Sequence, residues 1–173
     1  GRYGEDWFSM AAKRPGVAIN IPQTRSIAAS MVLYNGEGKK PHSVVVDLVP
    51  TGEGDPLLEK WGRIPKNETS VVLSNTAARK LNVAAGQEVI GRVGRAVAGI
   101  KEQVTIRLKV AAVLPIEAFP REAAFVRLGL LEATEDYRDG RGSEDFGWPG
   151  QARPPGPREY PSFRLYARSI YDV

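Results

Sequence analysis

Cysteine is absent from the 173-residue sequence, and histidine occurs only once, as His42. Without thiols the chain has no disulfide scaffold, no thiolate nucleophile and no cysteine-ligated metal site. A single histidine excludes a histidine cluster for zinc, and nothing around His42 and Ser43 resembles the strained turn that exposes a nucleophilic serine. We interpret His42 as a surface residue and predict no catalytic residue, no cofactor and no metal site.

Long apolar runs and a strong excess of one charge are also lacking. No run approaches the roughly 20 apolar residues that a membrane-spanning helix needs. Lysine and arginine total 24 against 20 acidic residues, and the net charge of +4 is dispersed along the chain. Because nucleic-acid-binding proteins usually cluster their basic residues, we expect no nucleic-acid partner. A weak attraction to anionic lipid headgroups is compatible with this charge.

Residues 139–161 are rich in proline and glycine, a composition that prevents regular secondary structure. We predict an extended surface loop, of a length that usually belongs to functional or disordered segments. Phe146 and Trp148 lie inside this loop. They either pin it to the body of the domain or form an exposed aromatic contact for a partner or a membrane surface.

Residues 70–93 (SVVLSNTAARKLNVAAGQEVIGRV) predict a short strand, a helix, a tight turn and a second strand. Ser74 suits the helix N-cap, since its hydroxyl accepts a free backbone N–H of the first turn. Asn82 tolerates the left-handed conformation at the helix end, and Gly86 supplies the turn. One apolar helix face is formed by Ala77, Ala78 and Leu81. The segment is an architectural unit without a catalytic group.

Gly86 and Gly91 have the outer spacing of a phosphate-binding loop, but the lysine and the serine or threonine of that motif are missing. These glycines bracket a strand instead of opening a helix, so we reject that interpretation. Arg92 and Arg95 are interpreted as a solvated strand face, with contact to a phosphate, a lipid or a partner as the alternative. A run of acidic residues is interpreted as charged surface instead of an acid–base pair, and it comprises Glu132, Glu135, Asp136 and Asp139.

Hydrophobic periodicity predicts further elements around residues 70–93. The predicted helices are residues 5–14, 56–61 and 128–137, and the predicted strands are residues 17–21, 27–34, 43–49, 104–114, 124–126 and 163–167. The near-continuous apolar character of residues 43–49 predicts burial of both strand faces. Together these elements indicate an α+β fold with mixed or antiparallel sheets and short helices.

The chain stops where a new helix is expected to begin. Residues 169–172 have the S-x-x-D form of a helix start, and Val173 follows directly. We therefore expect this sequence to be a domain of a longer protein.

The order of these segments resembles the periplasmic core domain of ABC transporter permeases of the MacB/FtsX/lipoprotein-releasing type. In that family a proline-glycine-valine strand follows a short helix, and a serine-capped helix leads through a glycine turn into a strand. The matching residues are Pro15-Gly16-Val17, Gly62, Pro65, Val72-Leu73-Ser74, Ala78, Lys80-Leu81, Gly86, Val89 and residues 110–114. Residues 165–168 with Asp172-Val173 resemble the step at which the domain returns to the membrane.

The resemblance implies a single extracytoplasmic domain over residues 1–173, on the periplasmic or extracellular face of the bacterial inner membrane. It implies two small subdomains: a porter-like helix-and-strand part at residues 1–50 plus 159–173, and an inserted strand-helix-turn-strand part at residues 51–138. The loop of residues 139–161 follows the second part and overlaps the first at residues 159–161. Gly1 and Val173 are then expected to lie close together.

The function that the resemblance implies is mechanical. The domain would couple movement of the membrane helices of its own parent chain, driven by a cytoplasmic ATPase subunit, to another extracytoplasmic molecule. That molecule is a periplasmic adaptor, a lipoprotein or small-molecule cargo, or a second copy of the domain in a homodimer. Candidate partner contacts are Phe146, Trp148, Arg92 and Arg95.

Two alternatives remain open. A similar strand–helix–turn–strand unit occurs in small six-stranded β-barrels, and a soluble ligand-binding or enzyme barrel needs a pocket with convergent polar groups. The second alternative is an interaction module that binds a protein or peptidoglycan without transport. Membrane helices flanking this sequence in the full-length protein would favour the permease.

Overall fold

The computed structural model describes residues 1–23, 30–36 and 40–169 of the chain. Its helices are short and most of its regular structure is sheet, which confirms the α+β class. The helices are α1 (Glu5–Ala12), α2 (Pro56–Glu59), α3 (Asn75–Leu81) and α4 (Leu128–Arg138). The strands are β1 (Tyr3–Gly4), β2 (Val17–Gln23), β3 (Ser30–Asn35), β4 (His42–Pro50), β5 (Ser70–Leu73), β6 (Glu88–Val97), β7 (Ile100–Val113), β8 (Ala123–Val126), β9 (Glu159–Tyr160) and β10 (Ser162–Ala167). Within the described ranges, no helix is long and apolar enough to cross a membrane.

Six of the strands form a closed barrel in the order β3-β4-β8-β5-β7-β6, with β6 pairing back onto β3. The pairs β4–β8 and β5–β7 are parallel, and the other neighbours are antiparallel. The mixed character of the sheet agrees with the sequence prediction, and closure into six strands was expected only under the barrel alternative. Closure pairs every barrel strand on both sides, so the barrel has no open edge.

Apolar side chains fill the barrel. The residues of the barrel strands that are buried in the main apolar cluster include Met31, Leu33, Val46, Val71, Val89, Val93 and Leu108. The lack of a side chain at Gly91 allows Met31 to pack closely against it, because a Cβ atom at that position would lie 2.4 Å from the Sδ atom of Met31. The inside of the barrel is therefore a packed core.

The predicted unit at residues 70–93 is confirmed as β5, α3 and the start of β6. The Ser74 hydroxyl accepts the backbone N–H of Ala77 at 3.3 Å, and it also accepts that of Ala123 at 3.0 Å. Asn82 ends α3 in the left-handed conformation with φ of 53°, and Gly86 makes the following turn with φ of 90°. The same serine thus begins the helix and ties it to β8.

The prediction that residues 43–49 are buried on both faces is wrong. Burial alternates along β4, where Val46 is fully buried and Val45 is 63% exposed. As a strand of a closed barrel, β4 packs one face on the interior and presents the other to solvent.

A second difference is the length of β6 and β7, which extend past the predicted strands to a two-residue turn. Ala98 and Gly99 in that turn both have positive φ, the geometry favoured in tight hairpins.

The elements at both ends of the described chain form a smaller assembly, which we call the terminal unit: α1, β1, β2, β9 and β10. β2 pairs with β10 and β1 pairs with β9, both antiparallel. The ring of Phe163 in β10 lies 4.4 Å from that of Trp7 and 4.9 Å from that of Tyr3. The ring of Phe8 lies 5.3 Å from that of Tyr160. Aromatic contacts therefore hold the first helix on the last described strand.

The proline- and glycine-rich loop of residues 139–161 folds back on itself. Backbone bridges join Arg141 to Gln151 and Ser143 to Trp148. Trp148 is 5% exposed and belongs to the main apolar cluster, and its indole N–H donates to the carbonyl of Thr105 at 3.3 Å. The prediction that this loop lacks regular secondary structure is wrong at its end, where Glu159–Tyr160 form the short strand β9 paired with β1.

Three predictions fall wholly or partly outside the described residues. They are the start of the strand at residues 27–34, the turn that follows Asn35, and the helix start at residues 169–172. Val173 also lies outside the described ranges, so its closeness to Gly1 stays a prediction.

Candidate functional site

Two arginines, Arg158 buried and Arg164 partly buried, connect the terminal unit to the barrel. Arg158 lies just before β9 and Arg164 lies within β10, so both belong to the segment that leads from the loop into the terminal unit. Arg158 reaches Asp136 of α4, and Arg164 reaches Asp55 at the start of α2. We call these two contacts the Arg158 anchor and the Arg164 anchor.

In the Arg164 anchor, the guanidinium group contacts three groups at once. Its Nη2 donates to Oδ2 of Asp55 at 2.9 Å and to the carbonyl oxygen of Pro50. Its Nη1 donates to the hydroxyl of Tyr166 at 2.8 Å. The side chain of Arg164 is 20% exposed and that of Asp55 is fully buried. This anchor therefore crosses from β10 to the loop after β4.

Asp55 is held in place from the barrel side as well. Its Oδ2 accepts the hydroxyl of Thr51 at 2.7 Å, and its Oδ1 accepts the backbone N–H of Leu57 at 3.0 Å. The second bond makes Asp55 the N-cap of α2, a role that the Asp-Pro sequence favours. Both carboxylate oxygens therefore have donors from residues 51–57, which hold the carboxylate independently of Arg164.

The Arg158 anchor is a small network on one face of α4. The Nη2 of Arg158 donates to Oδ2 of Asp136, and its Nε lies 3.6 Å from Oε1 of Glu132. Arg141 donates to the other oxygen of Asp136 at 3.2 Å, and the hydroxyl of Tyr160 donates to Glu132. Glu132 and Asp136 are one helical turn apart, so both face the incoming segment.

The Arg158 anchor is a buried ion pair and the Arg164 anchor a partly buried one, and the arginine of each is incompletely satisfied. Among the described residues, the Nε atoms of Arg158 and Arg164 are buried without a hydrogen-bond partner. Breaking a buried pair by removing one partner is costly, although an apolar replacement of the whole pair is often tolerated. The anchors thus fix where the terminal unit sits on the barrel more than they add net stability.

The hydroxyl of Tyr160 belongs to the Arg158 anchor, and its ionisation makes the stability of the fold depend on pH. Burial, and after it the hydrogen bond to Glu132, raises the pKa of Tyr160 above its ordinary value of 10.0. The neutral hydroxyl therefore stabilises the fold below pH 10, and this contribution is lost as the pH rises from 10 toward the higher pKa of the folded state. Burial also raises the pKa of Tyr137 and of Tyr166.

We expect Tyr160→Phe to reduce the loss of stability in alkali. The variant lacks the group whose ionisation favours the unfolded chain, so its free energy of unfolding falls less between pH 9 and pH 11 than that of the parent. Urea unfolding at a series of pH values measures this difference. A residual decline persists because Tyr137 and Tyr166 are unchanged, and equal declines in variant and parent would contradict the assignment.

Three of the four predicted partner contacts come together on one side of the barrel. The guanidinium group of Arg95 lies 4.1 Å from the ring centroid of Tyr137, whose ring lies 5.8 Å from that of Trp148. The ring of Phe146 lies 5.2 Å from that of Trp148. Arg92 lies apart from this row, 4.6 Å over the ring of Tyr34. Contact of any of these four residues with a partner stays a prediction.

Two charged groups differ from their sequence interpretation. The side chain of Arg95 is 7% exposed instead of solvated, and it donates to Glu102 at 2.8 Å and to the carbonyl oxygens of Tyr137 and Arg141. It thus satisfies carbonyls at the C-terminal end of α4. Asp136, interpreted as charged surface, is buried in the Arg158 anchor. The four-residue spacing of Glu132 and Asp136 predicts that both side chains lie on one face of α4. It does not identify Arg158 as their partner.

Over the part of the chain that the structure describes, no group of three or more potential ligand side chains that could hold a metal ion is found. In comparisons with known proteins, no family model matches the chain, and no curated protein matches it. The fold and the two anchors are therefore the observations on which a function is proposed.

Proposed function

We propose that this chain is the extracytoplasmic domain of an ABC transporter permease of the MacB/FtsX/lipoprotein-releasing type. In this role it transmits movement of the membrane helices of its own parent chain, powered by a cytoplasmic ATPase subunit, to an extracytoplasmic molecule. That molecule is an adaptor, a lipoprotein or small-molecule cargo, or a second copy of the domain. The proposal rests first on the sequence resemblance.

One structural observation carries the mechanical part of the proposal. The first helix and the last described strand pack together in the terminal unit, through the β2–β10 pair and the ring of Phe163. A domain inserted between membrane helices receives force through its two ends. In this chain the first helix and the last described strand lie in one small unit, and the Arg158 and Arg164 anchors would transmit its displacement to the barrel.

We propose a division into two parts that follows the strand pairing. The terminal unit, residues 1–23 and 159–167, is the part connected to the membrane. The barrel with α2, α3 and α4, residues 30–138, is the part that meets the partner. This boundary differs from the sequence-based division, because β3 and β4 pair within the barrel.

The proposed location is testable by labelling a single cysteine in the full-length protein. We expect Val45→Cys to react with a membrane-impermeant maleimide in intact spheroplasts, because Val45 is 63% exposed. This chain has no native cysteine to compete. Labelling of the full-length protein, recovered in the membrane fraction, is measured by a shift in gel mobility against the unsubstituted parent.

The neighbouring residue on β4 supplies the control. Val46 is fully buried, so Val46→Cys should react only after denaturation. Reaction of Val45→Cys only after lysis would place the domain in the cytoplasm and overturn the proposal, as would recovery of the full-length protein in the soluble fraction.

The closed barrel favours one alternative, a soluble ligand-binding or enzyme domain. Small barrels of this kind bind ligands in a mouth or on an outer face when the interior is filled, as it is here. This alternative predicts a full-length protein that fractionates with the soluble proteins. The labelling experiment therefore distinguishes the two functions.

A further inference from the structure

A basic groove lies on the outside of the barrel, and no residue of the two anchors lines it. Its volume is about 460 Å³, and it is formed by the loop before β5 and the outer face of β7. Three cationic side chains line it: Arg63, Lys66 and Lys109. All three residues are exposed to solvent.

The loop that carries two of these cations is fixed to the barrel. Pro65 is buried, and its carbonyl accepts the Nε of Arg127 at 2.6 Å. Ile64 is partly buried against the smaller apolar cluster. Arg63 and Lys66 flank these two residues, so both cations extend from a backbone that is already held in place.

The second half of the loop is ordered by a local turn. The side-chain Oδ1 of Asn67 accepts the backbone N–H of Thr69 at 3.1 Å and its hydroxyl at 3.0 Å. The carbonyl of Thr69 then accepts the backbone N–H of Lys109 at 2.9 Å. This last bond sets Lys109 of β7 directly beside the loop, so the third cation faces the same groove.

The groove has an unbalanced positive charge. None of its lining residues is acidic. Within the described ranges, Arg63, Lys66 and Lys109 form no ion pair. Glu88 lies opposite Lys109 across the β6–β7 ladder, yet the two do not form an ion pair. Three like charges that line one groove repel one another, and an anion bound there would relieve this repulsion.

We propose that this groove binds the phosphate group of an anionic ligand. Arginine presents a planar fork of donors that suits phosphate oxygens, and the two lysines add compact positive charges. A volume of about 460 Å³ is within the range of small-molecule sites, which is larger than a phosphate ion needs. Ile64 and Ala111 give the groove an apolar wall beside the cations. The ligand is therefore a phosphate ester with a body attached, either a soluble organophosphate or a phospholipid headgroup.

The first probes are inorganic phosphate and glycerol 3-phosphate, added to the 173-residue protein labelled with ¹⁵N. We expect saturable shifts of the backbone amide signals of residues 66–70 and 109. The variant Arg63→Gln/Lys66→Gln/Lys109→Gln should bind these probes at least tenfold more weakly. A matched control, Lys13→Gln/Arg14→Gln/Lys101→Gln, removes one arginine and two lysines elsewhere and should bind as the parent does.

A second arm distinguishes the two sources of the phosphate group. Flotation with vesicles of a phosphatidylglycerol and phosphatidylcholine mixture, compared with phosphatidylcholine alone, reports binding to a membrane. Binding of the vesicles that is lost in the groove variant but kept in the control identifies a lipid headgroup. Saturable binding of glycerol 3-phosphate that is lost in the groove variant but kept in the control identifies a soluble ligand.

Two results would overturn the proposal. One is the absence of saturable shifts and of vesicle binding in the parent protein. The other is an equal loss in the groove variant and the control, which would mean general attraction to a cationic surface. The proposal does not depend on the permease function, since either outcome of the labelling experiment leaves the groove unchanged.

Discussion

Replacing Arg164 with methionine should lower the free energy of unfolding by about 3 kcal/mol, because the substitution leaves the fully buried carboxylate of Asp55 without its cation. We give the lower end of the usual range because the Arg164 side chain is 20% exposed. In a protein of this length such a loss corresponds to a melting temperature lower by roughly 6–12 °C. Urea and thermal unfolding measure the change.

A double-mutant cycle separates the ion pair from the packing of Arg164. Asp55→Asn keeps an oxygen that can cap α2 but removes the charge that Arg164 neutralises. We expect Arg164→Met combined with Asp55→Asn to be less destabilised than the sum of the two single variants, by more than about 1 kcal/mol. Strict additivity would mean that the pair makes no specific contribution.

The same variant tests transmission of movement in the full-length protein. If the Arg164 anchor couples the terminal unit to the barrel, Arg164→Met should lower transport while ATP hydrolysis continues. Assays at a temperature well below unfolding keep the comparison between folded proteins. Equal losses of transport and ATP hydrolysis would contradict a coupling role.

Gly150→Ala should be the most disruptive single substitution in the loop of residues 139–161. A Cβ atom at Gly150 would lie 2.2 Å from the carbonyl carbon of Arg141 and 2.4 Å from the backbone nitrogen of Gly142. Backbone atoms cannot move aside as a flexible side chain can, so the bridge between Arg141 and Gln151 must open. Trp148 would lose its buried position, and we expect a destabilisation of about 3–5 kcal/mol, the range for loss of a buried tryptophan.

The fluorescence of Trp148 reports this opening directly. In a background that carries Trp7→Phe and Trp61→Phe, Gly150→Ala should shift the emission to longer wavelength as the indole becomes solvated. Gly156→Ala is the matched control, because Gly156 also has positive φ but has open space where a Cβ would lie. It should leave the emission unchanged. An unshifted spectrum for Gly150→Ala would show that the loop tolerates the added atom.

Local sequence signals predicted the unit at residues 70–93 in detail. Each of its features depends on neighbours within a few positions: the cap at Ser74, the left-handed Asn82 and the turn at Gly86. The closed barrel was left as one alternative, because local signals do not establish closure. It depends on pairings such as that of β3 with β6, and on the glycine at position 91 that admits Met31 to the interior.

Most contacts of the candidate site could not be predicted from the sequence, for the same reason. Asp55 was recognisable as a helix cap, but Arg164 is 109 positions away. Asp136 and Arg158 are 22 positions apart and are separated by the proline-rich loop. No pattern of spacing reports a contact that the tertiary fold creates. For Trp148 the sequence left two alternatives open, and its burial in the main apolar cluster agrees with the one in which it pins the loop to the domain.

The spacing of the two anchors has a geometric consequence. Arg158 and Arg164 are six positions apart in an extended segment, which at about 3.3 Å per residue places their backbones no more than about 20 Å apart. Two fixed points define an axis. The two anchors therefore oppose sliding of the terminal unit across the barrel. They oppose a tilt about the line through the two arginines less strongly. A tilt of this kind changes the angle between the terminal unit and the barrel while both arginines keep their carboxylate partners.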